Sequence, residues 1–129
     1  MNTFIRSSNT IQLNKARKYL WENVYNNYSC LNDLINTINQ NMYMIISDDI
    51  EIKEFFITFD KMQLKVLFNN NINDNDLSKL NDCIIKSFKD FLNNQKKNIS
   101  EDIYNACIHN IDKIFFITFI ESDSITINL

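Results

Sequence analysis

The chain contains no glycine and no proline in 129 residues, where average usage would supply roughly 9 and 6. Without glycine there is no phosphate-cradling P-loop, no dinucleotide-binding turn, no glycine-flanked nucleophile elbow and no kinase-type loop. Without either residue there is no flexible or stiff linker in the usual sense. Long apolar runs are also missing: the longest, such as Met42 to Ile46, reach about five residues, far short of a membrane span. Met1 to Thr10 has no apolar core of the kind a signal peptide needs. These absences lead to the expectation of a soluble, cytoplasmic protein with no membrane association.

Cysteine and histidine are scarce as well. Cys30, Cys83 and Cys107 are odd in number and widely spaced, which argues for reduced thiols rather than a disulfide framework. Cys107 and His109 lie two apart, so on a helix they point to different faces, and no second close pair completes a metal site. Nothing in the sequence pairs Cys30 or Cys83 with His109 as nucleophile and base. The expectation is therefore no metal, no cofactor, no catalytic residue and no enzymatic activity.

What is present is asparagine, 22 residues, and isoleucine, 21 residues, with alanine only at positions 16 and 106. Glycine, proline and alanine need G/C-rich codons, so the bias is read as that of an AT-rich gene, a character common among mobile, viral and accessory genes. Asparagine and aspartate are the next best tenants of left-handed turn positions. Asn26-Asn27, Asp48-Asp49, Asn69-Asn70-Asn71, Asn93-Asn94 and Ser122-Asp123-Ser124 punctuate the apolar runs and are read as turns on that ground. A composition of 45% hydrophobic and 12% aromatic residues is that of a folded chain, and the length suits one globular domain over 1–129.

Periodicity supplies the elements. Leu13, Ala16, Leu20 and Val24 recur at helical spacing. A break at Asn26-Asn27, with Ser29 as N-cap, would start a second helix carrying Leu31, Leu34, Ile35 and Ile38, the alternative being one long kinked helix. Met42 to Ser47 is read as a short strand. A period of two follows: with Asp60-Lys61 as a two-residue turn, position 59 faces 62, 57 faces 64 and 55 faces 66, which puts every one of those apolar side chains on one side. Leu77, Leu80, Ile84, Phe88 and Phe91 mark a third helix entered through Asn73 or Asp74. Ser100 caps a shorter one carrying Ile103, Cys107 and Ile111, and a strand pair, 114–120 and 125–129, ends the chain. The expected fold is α+β: an antiparallel sheet of four to five strands, with hairpins near 53–68 and 113–129, and three to four helices packed on one face.

Phe-Phe-Ile-Thr-Phe occurs twice, at 55–59 and at 115–119. Both copies follow helices and begin a strand pair, which would suit two pseudo-symmetric halves. Because the flanks match poorly and the chain is rich in Phe and Ile, the repeat is read as convergence on a good strand sequence.

Charge carries the remaining functional information. The net charge is only −3, yet residues 31–60 carry −5 and 101–129 carry −4, while 1–30 and 61–100 carry +3 each. Carboxylates gather at Asp48, Asp49, Glu51 and Glu54, and again at Asp112, Glu121 and Asp123. Lys79, Lys86, Lys89, Lys96 and Lys97 are interleaved with Asp82 and Asp90, a solvated helix face rather than a phosphate track, so direct nucleic-acid binding is not expected. The acidic groups are instead expected to dock a basic protein partner, such as a toxin or nuclease, where complementary charge speeds encounter and blocks a nucleic-acid channel. In general character the chain is similar to small immunity and antitoxin proteins, including those that neutralise contact-dependent growth-inhibition nucleases, although no motif marks it as one. A viral or phage inhibitor of a host defence factor, of anti-CRISPR kind, and a small enzyme without a recognisable motif are the alternatives.

Overall fold

Burial at positions 16, 20 and 24 draws the first helical stripe against the core. In the computed structural model, which describes the backbone of residues 2–129 and side chains from Thr10 onward, helix α1 spans Asn2–Leu20 and continues into a π-helical turn, Trp21–Tyr25. The wider turn ends at Asn26, whose Nδ2 donates to the Trp21 carbonyl at 2.8 Å. Helix α2 then runs Tyr28–Ile45. Its N-cap is Asn27, whose Oδ1 accepts from Cys30 N at 3.2 Å, and not Ser29; the extended backbone at position 27 already supplies the cap geometry two residues earlier.

The expected strand at Met42 to Ser47 is helix as far as Ile45. Met42 is buried four residues after Ile38, continuing the stripe of Leu31, Leu34 and Ile35. A short apolar run does not itself distinguish strand from buried helix, and the existing helical phase decides it.

Strands β1 (Ile52–Thr58) and β2 (Gln63–Phe68) form the first hairpin, with Phe55 opposite Val66 and Ile57 opposite Leu64 as the alternation requires. The turn closes by Met62 N donating to Phe59 O at 3.3 Å. Helix α3 spans Asp74–Gln95 behind its N-cap Asn73, and a short 3₁₀ turn, Lys96–Asn98, leads to α4, Glu101–His109, capped by Ser100. Strands β3 (Phe116–Glu121) and β4 (Ser124–Asn128) complete one four-stranded antiparallel sheet in the order β1, β2, β4, β3.

One face of the sheet carries Leu64, Val66, Phe68, Ile125 and Ile127, all buried, and the helices cover it. Helix α2 packs on α3, and α1 on α4. The polar exception in the first of these contacts is satisfied internally: Asn41 Nδ2 donates to Ser87 Oγ at 2.9 Å and to Asp90 Oδ2 at 3.2 Å, and Ser87 Oγ donates to the Cys83 carbonyl at 2.7 Å. The other face carries Phe56, Lys65, Thr126 and Thr118 in one row, and among the described residues no helix covers it, leaving Phe56, Phe116 and Thr118 exposed.

The two pentapeptides lie on the two edge strands in the same phase. Phe56 and Phe116 point to the uncovered face, Ile57 and Ile117 to the core face. Each half of the chain reads helix, helix, hairpin, the element order that two pseudo-symmetric halves have. The turn asparagines also behave differently from expectation. Asn93-Asn94, read as a turn, lies inside helix α3. Met62 is the sole residue with positive φ, at 52°, among the described residues, so the asparagines of the other turns serve them through side-chain hydrogen bonds and not through left-handed backbone.

Candidate functional site

Strand register decides which charges meet. Ile52 pairs with Phe68, Leu67 with both Glu54 and Ser124, and Ser124 with Glu121, so these residues share one end of the sheet. The loops that leave that end are 46–51, 69–73 and the Ser122-Asp123 turn. The asparagine run ties them together. Asn69 Oδ1 accepts from Glu51 N at 3.0 Å while its own N–H donates to Glu51 O at 3.0 Å. Asn70 Nδ2 donates to the Asp49 carbonyl at 2.8 Å, and Asn71 Oδ1 accepts from Ser122 Oγ at 3.0 Å. Phe68 N and Ile72 N donate to the carbonyls of Asp123 and Ser122 at 2.8 and 2.6 Å.

Six of the seven carboxylates singled out from the sequence are thereby brought to one end: Asp48, Asp49, Glu51, Glu54, Glu121 and Asp123. The seventh, Asp112, is not among them. It lies in the loop before β3, whose first residue, Phe116, pairs with Asn128 at the opposite end of the sheet. Its spacing from Glu121 suggested a common cluster, but a strand of six residues separates them, about 20 Å at the usual rise.

Five of the six are exposed and Asp123 is half-buried, and none is ion-paired among the described residues. The C-terminus of α2 ends beside them without a basic residue in its last turn, so its dipole adds negative potential. Next to Asp48 and Glu51 runs a groove of about 480 Å³ floored by Ile50 and flanked by Asn39, Gln40, Tyr43 and Met44. Tyr43 is 64% and Met44 80% exposed. The strand reading of 42–47 hid them; the helical phase that buries Ile38 and Met42 was the signal that turns Tyr43 and Met44 outward.

Chemically, this surface offers carboxylate oxygens, which only accept hydrogen bonds, beside an aromatic ring and a thioether. It suits a lysine or arginine side chain whose head meets carboxylate while its stem lies on apolar surface. The basic residues elsewhere are partly neutralised in place: Lys79 lies 3.5 Å from Asp76 and Lys86 2.7 Å from Asp90, and the Lys86 ammonium beside Asp90 holds its carboxyl below the ordinary carboxylate range. Among the described residues no group of three His, Cys, Asp or Glu side chains is placed to hold a metal ion. Cys107 is buried and His109 exposed, so that pair diverges. Among the described residues no helix is long and apolar enough to cross a membrane. No protein-family model matches the chain, and neither a curated protein nor a solved structure is significantly similar to it.

Proposed function

We propose that this chain is a small acidic inhibitor of immunity or antitoxin type, which neutralises a basic protein such as a nuclease toxin by covering its functional surface. The observation that carries the reading is the placement of six carboxylates, none ion-paired among the described residues, at one end of the sheet, with Asp48 and Glu51 lining the same groove as the exposed Tyr43 and Met44. A cluster of like charge held by a fixed set of loops is a standing repulsion that a basic partner relieves. Complementary charge raises the encounter rate, and the aromatic and thioether groups supply the desolvated contact that slows release.

The mechanism is occlusion. A nuclease must present a positive channel to phosphate, and an acidic surface seated in that channel competes for the same charges. Capture from the native host at low and at moderate salt tests the reading. A basic protein retained by the wild-type chain, lost on reversing Asp48, Asp49, Glu51 and Glu54 to lysine, is the expected result. Failure to retain any protein under either condition defeats the proposal. A toxin gene beside this one would support the immunity role over the inhibitor of host defence.

A further inference from the structure

The two halves of the chain, α1 to β2 and α3 to β4, are built into one another. Helix α1 packs on α4 and α2 on α3, and β2 pairs with β4, so each of these contacts crosses from one half to the other. The polar ties cross as well. Lys15 Nζ lies 2.6 Å from Asp102 Oδ2, Arg17 Nη2 donates to the Lys113 carbonyl at 3.1 Å, and Asn41 of α2 donates to Ser87 and Asp90 of α3. Each half by itself holds a two-stranded hairpin, which is marginal in water until a sheet or helices complete it. Residues 69–73 are the covalent link between the halves. That connector is divided: Asn69 and Asn70 bond to Glu51 and Asp49 in the first half, Asn71 and Ile72 to Ser122 in the second.

We infer that the halves are exchangeable between copies: α1 to β2 of one chain takes α3 to β4 of a second, and the reverse, in a closed two-chain assembly. The surface that holds the second copy is the one already buried inside a single chain, so exchange re-forms every contact between the halves. The closed and exchanged states then differ mainly in the path of the connector. A short linker presents each first half with its own second half at an effective concentration of about millimolar, which keeps the wild type closed when it is more dilute than that. A connector too short to turn back removes the advantage and leaves exchange as the way to complete the fold. The acidic end takes Asp48, Asp49, Glu51 and Glu54 from the first half and Glu121 and Asp123 from the second. An exchanged pair therefore carries two such ends, each completed by the other copy. Exchange itself does not depend on the binding role proposed above.

The test deletes Asn70 and Asn71, which shortens the connector by about 7 Å. Sedimentation velocity reads the assembly state, and a zero-length carbodiimide cross-link between Lys15 and Asp102, an accessible pair that spans the halves, reads which chains are joined. In the wild type at micromolar concentration the cross-link is expected within one chain. The shortened chain is expected to be a dimer with the helix content of the wild type. Refolded as a mixture of isotopically light and heavy chains, it should carry the Lys15–Asp102 cross-link between chains. A shortened chain that folds as a monomer, or a dimer whose cross-link stays within each chain, would overturn the inference. Should the shortened chain not fold, the wild type refolded from urea at about 1 mM decides: the same cross-link between chains is expected there, and its absence overturns the inference.

Discussion

Ile57 and Ile117 stand at the two ends of a single row across the sheet, with Leu64 and Ile127 between them, and each is the middle residue of the same pentapeptide. An approximate two-fold axis through the centre of that row exchanges β1 with β3 and β2 with β4. The helix contacts follow the same exchange, since α2 on α3 becomes α4 on α1. Leu64 and Ile127, both fully buried, sit beside the axis in matching environments. Truncating either to alanine is expected to cost about 2–5 kcal/mol, and the two losses should agree within the scatter of denaturant unfolding. A large cost at one position and almost none at the other would show that the symmetry is not shared by the packing.

Met62 occupies a left-handed conformation, φ 52°, in the tight turn between β1 and β2, and its carbonyl accepts from Leu129 N at 2.9 Å. A Cβ there costs about 1 kcal/mol, and the side chain is too exposed to recover much of it by packing. Met62→Gly is expected to stabilise the fold by up to about 1 kcal/mol, and Met62→Val to destabilise it, in urea unfolding. A glycine variant less stable than the wild type would mean that the methionine contributes through contacts instead.

Tyr25 is buried at the end of the π-helical turn, and among the described residues its hydroxyl has no hydrogen-bond partner. Burial pushes its pKa well above the ordinary tyrosine value. Removing an unpartnered buried hydroxyl while keeping the ring should help, and Tyr25→Phe is expected to gain about 1 kcal/mol. A loss of stability of that size would reveal a partner for the hydroxyl.

Much of the architecture was legible because apolar spacing is a strong signal where it persists. The stripe through Leu80, Ile84 and Phe88 and the alternation through Leu64, Val66 and Phe68 each admit one reading. Met42 to Ile46 was not legible, since five apolar residues fit strand and buried helix alike, and only their phase relative to Ile38 separates the two. That misreading also concealed Tyr43 and Met44. The acidic site was half legible: residue types marked Asp48 to Glu54, but strand order, which no local pattern encodes, joins them to Glu121 and Asp123 and leaves Asp112 at the other end.

The three thiols should differ sharply in reactivity. Burial pushes Cys83 and Cys107 up to about 11, so both are held as thiols near neutral pH, while Cys30 is only half-buried. A thiol reagent is expected to modify Cys30 rapidly in the native protein and the other two only on unfolding. A group whose folded pKa is raised favours the folded state below its unfolded value. The associated stability is therefore full below pH 9 and declines between about 9 and 11. Equal labelling of all three cysteines in the native state would contradict the assignment of Cys83 and Cys107 to the core.

The central claim is that the acidic end of the sheet, and not the chain's modest overall charge, recognises a basic protein. Stopped-flow association with the captured partner, measured as a function of ionic strength, tests it most directly. Reversing Asp48, Asp49, Glu51 and Glu54 to lysine is expected to slow association by about tenfold to a hundredfold and to flatten its salt dependence, while Asp112→Lys at the opposite end leaves both nearly unchanged. An association rate that the fourfold reversal does not alter, or that Asp112→Lys reduces equally, would contradict it.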